Sequence, residues 1–343
     1  MKSSSVRFVG LMLCFFLLTV AFAPSTGLAA DKQFKWRMAT LYPRGVSFAK
    51  TFPPFCELVK AMSAGRMVID MVYEGEGISG ADIWANVKMG LIELGRPYFA
   101  LHSGEFPAGL VGLGLPGGST DKLELLTLHT RGGLNEALSK AMAPQGLCLL
   151  GGGFQPGTYL LTKEPIKNLD QLKGLKIRAP GSYGKMMRNL GASPVLLTYS
   201  ELYTALATGV IDGLTGPNLV DFYSSKFYEV APYLYPIPVS GAQFVGTSVN
   251  MKAWNTLPED LKAIVRTAEV TLGVDQTTMG YYLEGTGLKE MKTLGLKMSP
   301  DPSAEDRGKW KKAGMDTWAE YGSKDKDTKD LIKIMKEFYD KME

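Results

Sequence analysis

The sequence predicts an α/β protein built as two lobes, with the chain crossing between them more than once. Three observations carry that expectation. Strand-like alternation and helix-like spacing take turns from Phe34 onward. The strand–helix pattern pauses and restarts at "LCLLGGGFQPGTYLLT". From "LPEDLKAIVRTAEV" to the end the pattern is almost wholly helical. Two lobes crossed repeatedly by one chain make a hinge, and the cleft between them is a natural ligand site.

Residues 1–30 read as a secretory signal peptide and not as part of the fold. "MKSSSVR" supplies Lys2 and Arg7, "FVGLMLCFFLLTVAFA" is too short for a comfortable membrane span, and Gly27, Ala29 and Ala30 are small. Cys14 lacks the small residues that a lipoprotein cleavage site places before it. The mature protein is therefore expected to be exported and not membrane-spanning. Of 343 residues about 313 remain, room for two ordinary domains. Removing Lys2 and Arg7 lowers the formal charge from +4 to +2, and no basic block suggests nucleic acid. Cys56 and Cys148 either pair in an oxidising compartment or stay as buried thiols. The only histidines are His102 and His129, to which no role is assigned, and no HExxH, CxxC, GxSxG or GxxxxGK[ST] pattern occurs. No cofactor, metal site or catalytic group is expected, so a binding protein leads and an enzyme does not.

Each element has its own signal. "FKWRMATL" alternates Phe34, Trp36 and Met38 against Lys35 and Arg37, a half-buried strand. "PPFCELVKAMSAG" places Phe55, Leu58, Val59 and Met62 on one helical face. "RMVIDMVY" is a strand, "ADIWANVKMG" a helix with Ile83, Val87 and Leu91 in step, and "IELG" a third strand; this βαβαβ opening implies a mainly parallel sheet. Gly151 to Gly153 mark a crossing between lobes or an ordinary glycine-rich loop. "LKIR", "SYGKMMRNLG", "PVLLTY", "SELYTALATG" and "VIDGLTGP" form a second βα series. Thr198 and Glu201 have capping-box spacing ahead of a buried stripe of Leu202, Ala205, Leu206 and Val210. "VGTSVNM" is a strand returning to the first lobe. Accordingly, residues 31–153 with about 244–282 are expected in lobe I, and residues 154–243 with about 283–343 in lobe II.

Arg178 ends the "LKIR" strand, where Pro180 and Gly181 turn the chain out of the sheet. A strand's carboxyl end is where open α/β sheets place ligands, so Arg178 is either an anion clamp or half of a structural ion pair. Other ligand-binding candidates come from strand ends and crossings. They are Phe154 and Gln155 at the crossover, Thr215 and Asn218 after the next strand, and Tyr42 after the first. Glu76 and Trp84 come from the second βα region, with Tyr98 and Gln243 at a strand end and a lobe crossing. Asn218 equally suits a helix cap, and Trp84 a core position.

"NLDQLKGLKIRAPGS", "LGASPVLLTYSELYTALATGVIDGLTGP" and "SSKFYEVAPYL", in that order, resemble the solute-binding component of tripartite ATP-independent periplasmic (TRAP) transporters, the DctP type. The resemblance is dense from about Pro165 to Leu234 and weaker through the opening. It implies a two-lobed periplasmic-binding-protein-like fold with hinge strands, a long bracing helix and a helical C-terminus. It also implies a periplasmic protein that captures a small organic acid by cleft closure and delivers it to TRAP permease membrane subunits. The Arg matching Arg178 pairs with the substrate carboxylate in that family. This chain has Gly157, Thr158 and Tyr159 where many members carry a second Arg, and "DGLTGP" where they have "DGxExP". Thr215 and Gly216 thus replace a Glu and a frequent Asn, which points away from sialic acid and C4-dicarboxylates and leaves room for a bulkier or more apolar monocarboxylate. "GEG" at 75–77 is similar to relatives that bind keto acids. Two rival readings are a ligand-sensing subunit of a membrane receptor and a periplasmic enzyme with Glu76 as general base.

Overall fold

The computed structural model describes residues 32–197 and 199–342. The signal-peptide reading and Thr198 of the expected cap lie outside them. In the first lobe, β1 (Phe34–Thr40) buries Trp36 and Met38 and leaves Lys35 and Arg37 in solvent, as its alternation requires. Helix α1 (Phe52–Met62) leads to β2 (Met67–Val72), and α2 (Ile83–Met89) leads to β3 (Leu94–Arg96). Strand β1 lies parallel to both β2 and β3, the arrangement that βαβ crossovers impose. Helix α2 stops at Gly90, which takes the left-handed conformation, so Leu91 falls off the helical stripe and is exposed. Three short helices, α3 (Ala108–Leu113), α4 (Lys122–Thr130) and α5 (Leu134–Met142), follow.

Strand β4 (Leu147–Thr158) then leaves for the second lobe. There the chain forms β5 (Leu161–Thr162), β6 (Lys176–Arg178), α6 (Gly181–Asn189), β7 (Ser193–Val195), α7 (Leu202–Thr208), β8 (Gly213–Leu214), α8 (Leu219–Ser224), α9 (Phe227–Val230) and β9 (Tyr233–Leu234). Helix α7 ends at left-handed Gly209, which leaves Val210 exposed although Leu202, Ala205 and Leu206 are buried as expected. Strand β10 (Ser240–Asn250) returns, followed by α10 (Met251–Asn255), α11 (Glu259–Thr293), β11 (Lys297–Met298), α12 (Ala304–Gly322) and α13 (Lys326–Met342). The first sheet has the order β2-β1-β3-β10-β4 and the second β11-β9-β5-β8-β6-β7.

The hinge is the antiparallel pair β4 and β10, whose ladder runs from Leu147↔Asn250 to Thr158↔Ser240. That ladder passes through the expected lobe boundaries near residues 153 and 244, and the chain leaves the first sheet only after Thr158. Helix α11, 35 residues and about 50 Å long, braces both lobes. Leu261, Val265, Ala268 and Leu272 pack in a first-lobe core, whereas Met291 and Leu288 pack in a second-lobe core. At mid-length the glycines of β4 lie on the helix backbone. A Cβ on Gly273 would sit 2.3 Å from Gly152 O, and one on Gly153 would sit 2.5 Å from Gly273 O. The triple glycine is thus where strand and brace touch with no side chain between them.

The C-terminal helices depart from the expected division. In α12, Trp310 and Ala313 join a second-lobe core, but Trp318 and Tyr321 join the first-lobe core. Helix α13 lays Leu331, Ile332 and Met335 into that same first-lobe core, against α3 and α5. Amphipathicity demanded a partner for α13, and the apolar faces of α3 and α5 are what tertiary packing supplied. Cys56 and Cys148 are free thiols, pushed by burial up to about 12 and about 11. Among the described residues no helix is long and apolar enough to cross a membrane.

Candidate functional site

Strand β6 ends at Arg178, and Gly181 turns the chain into α6 at a φ of 54°. A Cβ there would meet Leu110 Cδ2 at 3.1 Å, so the turn abuts the first lobe. Arg178 is buried. Its Nε and Nη2 both donate to Leu197 O at 3.2 Å, and Nη1 donates to Thr215 O at 3.3 Å. Those contacts use three of the five guanidinium N–H groups and leave one on each terminal nitrogen. No carboxylate of the described residues forms an ion pair with Arg178, so the structural-pair reading has no partner. Burial lowers the guanidinium's pKa, opposed by Tyr98, Tyr199 and Asp221 nearby.

The other polar groups converge from both lobes and the hinge. Gln155 and Gln243 lie directly opposite each other on β4 and β10. Gln243 Nε2 donates to Gly216 O at 2.8 Å, and Gln155 Oε1 accepts from Asn218 Nδ2 at 3.5 Å. Asn218 also caps α8, its Oδ1 accepting from the backbone N–H groups of Val220 and Asp221 at 2.9 and 3.1 Å. Cap and site contact are both made, by different atoms of one amide. Thr215 turns its hydroxyl toward Thr158, 3.1 Å away, and serves Arg178 through its carbonyl. From the first lobe come Tyr42 and Tyr98. Burial raises the pKa of both, with Tyr98 reaching about 12 and drawn back by Arg178.

Three expected residues lie elsewhere, each for a physical reason. Successive strand residues face opposite sides, so with Gln155 turned inward Phe154 must turn away. Its ring packs on Phe244 and on His129, with centroids 5.5 and 5.1 Å apart. Trp84 is fully buried in the first-lobe core, stacked on Phe106 at 5.0 Å, with Nε1 donating to Gln145 Oε1 at 3.3 Å. Glu76 forms a two-point pair with Arg44 at 2.8 and 2.9 Å on exposed loops. Arg44 holds the Glu76 carboxyl below its usual range, the reverse of what a general base needs.

The sequence reading missed Asp221, Tyr183 and Tyr199. Asp221 Oδ2 accepts from Asn218 N–H at 3.0 Å, completing a capping box, and burial pushes its carboxyl up to about 6 against the pull of Arg178. The N-x-x-D spacing from Asn218 to Asp221 was its available signal. Tyr183 is buried in the first turn of α6, and its hydroxyl lies by Ser240, Gln243 and Tyr98. Tyr199 is near both Arg178 and Asp221.

Residues 39–325 match the family model DctP, bacterial extracellular solute-binding protein family 7. The chain belongs to that family. It is a solute-binding protein of the TRAP type, as the ordered motifs around Arg178 implied. Over 312 residues it is 29% identical to the monocarboxylate 2-oxoacid-binding periplasmic protein of Nostoc sp., covering 89% of this chain and 84% of that one. Among solved structures it is similar to a TRAP periplasmic solute-binding protein from Pseudoalteromonas atlantica with bound sodium and pyruvate. That match has a TM-score of 0.84 and 26% identity, covering 91% of this chain and 95% of the other. A second, from Colwellia psychrerythraea with bound calcium and pyruvate, has a TM-score of 0.84 and 25% identity at the same coverage.

Proposed function

We propose that this family 7 protein captures a small monocarboxylic acid, 2-oxo acids foremost, in the cleft between its lobes, and delivers it in the periplasm to TRAP permease membrane subunits. The observation that carries this reading is Arg178, a buried guanidinium with one N–H free on each terminal nitrogen and no carboxylate paired with it. Burying an unpaired charge is costly, and a ligand carboxylate accepting both N–H groups removes the cost. Second-lobe, first-lobe and hinge residues meet around it, so an acid bound there ties the lobes together. The 2-oxo class is supported by what the Nostoc relative is named for and by the pyruvate in the two solved relatives.

Both solved relatives also carry a cation. The groups around Arg178 in this chain are amides, tyrosine hydroxyls, backbone carbonyls and the single carboxylate of Asp221, already tied to Asn218. Calcium takes six to eight oxygens, usually several of them carboxylate, so this donor set does not fit a calcium ion. The chain's own residues hold the acid: Arg178 fixes the carboxylate, and the hinge glutamines close over it.

A thermal-shift screen of aliphatic, 2-oxo and aromatic monocarboxylates tests the reading. An acid at a hundred times its dissociation constant stabilises by about 2.7 kcal/mol through mass action. No shift from any class sinks the proposal. Incubation of a stabilising acid should return it unchanged, whereas a new chemical species would favour an enzyme.

A further inference from the structure

Two buried polar groups of the site have no hydrogen-bond partner: Gln155 Nε2 and the Tyr183 hydroxyl. Their residues are 5% and 1% exposed. Both flank Gln243, since Gln155 opposes it in the ladder and the Tyr183 hydroxyl lies beside it. Of the neighbouring donors, the Ser240 hydroxyl and one of the two Gln243 N–H groups are already committed. Gln243 Nε2 donates to Gly216 O at 2.8 Å, and Ser240 Oγ donates to Ala242 O at 2.9 Å. Buried polar groups without partners are rare and costly, and two in one place call for a common cause.

We propose that Gln155 and Tyr183 form a second polar subsite beside Arg178, donating hydrogen bonds to an oxygen that the ligand carries close to its carboxylate. This rests on Arg178 holding the carboxylate. An amide NH2 can only donate, so the matching ligand atom is an acceptor. A keto or hydroxyl oxygen qualifies, whereas an ammonium brings donors to donors. Gly216 sets the scale. Its carbonyl takes Gln243, and a Cβ on it would lie 2.7 Å from Arg178 Nη1, so one residue's width separates guanidinium from hinge amide. A site built to hydrogen-bond a substituent rejects the analogue lacking it far more strongly than an apolar pocket does.

The test is calorimetric titration of pyruvate and propanoate, which differ by the keto oxygen, into the parent, Tyr183→Phe and Gln155→Leu. The parent should prefer pyruvate by about a hundredfold or more. Each variant should lose about tenfold or more of that preference, mainly through weaker pyruvate binding. An unchanged preference in both variants overturns the subsite while leaving the Arg178 reading intact. The unliganded melt decides separately. Tyr183→Phe should melt at or above the parent temperature, because it removes an unpartnered hydroxyl, and a clear fall overturns the proposal. If neither acid binds the parent, the 2-oxo reading falls and this subsite with it, and the melt still judges the hydroxyl.

Discussion

Gly216 and Arg178 compete for one volume. A Cβ on residue 216 would lie 2.7 Å from Arg178 Nη1 and 2.9 Å from Pro180 Cδ. The glycine that replaces a frequent Asn of the family therefore does not enlarge the pocket; the guanidinium and Pro180 crowd that space. Its φ of 108° also disfavours any side chain. Gly216→Ala is expected to displace the guanidinium and lower stability by about 1–3 kcal/mol, with acid affinity down at least tenfold. Urea melts and titration of a stabilising acid check both, and unaltered affinity contradicts the placement.

Arg178→Lys keeps a charge but loses the planar fork. With charge-assisted hydrogen bonds worth about 1.5–3 kcal/mol each, acid binding should weaken roughly ten- to a hundredfold. Arg178→Ala should weaken it further, and it also strips two backbone carbonyls of their donor. Parent-like affinity in Arg178→Lys would show that the carboxylate is held elsewhere.

Two glycines of α11 should respond to alanine with opposite signs. At Gly285 an added Cβ meets nothing within 4 Å, so Gly285→Ala should stabilise by up to about 1 kcal/mol, the helix propensity difference. At Gly273 it meets Gly152 O at 2.3 Å, so Gly273→Ala should destabilise by about 1–3 kcal/mol. Denaturant unfolding of the pair gives the answer; the same sign at both positions would dismiss the strand–brace contact.

Acid titration should separate two buried groups. Asp221, raised to about 6 from an unfolded value of about 3.9, makes the native state bind more protons, so its contribution falls as pH rises from 4 to 6. His129 is lowered to about 4 by burial from an unfolded value of about 6.5. Its contribution rises with pH from 4 to 6.5. Each is worth up to about 3 kcal/mol, and in the parent they largely cancel. Asp221→Asn, which keeps an acceptor for the Asn218 N–H, should be more stable near pH 7 and lose stability more steeply toward pH 4. Parallel stability–pH curves for parent and variant would refute the buried carboxylate.

Local pattern alone made much of this protein legible. Period-two alternation marked β1, and glycines and prolines marked the turn after Arg178. Ordered motifs identified the family and singled out Arg178 as the proposed carboxylate clamp, because strand, turn and helix signals depend on neighbours in sequence. The same alternation required Phe154 and Gln155 to face opposite ways, but which one faced the cleft depended on how β4 paired with β10. Contacts between distant residues were decided only in three dimensions. Arg178 donates to the carbonyls of Leu197 and Thr215 from later segments, and it lies within electrostatic reach of Asp221 and, from the other lobe, Tyr98. Glu76 found Arg44, and α13 found the first lobe. Trp84 filled a core instead of a cleft. A side chain's type says what it can bond to, but its partner is whichever group the packed chain brings within 3 Å or so, and that is set by the summed burial of the whole fold.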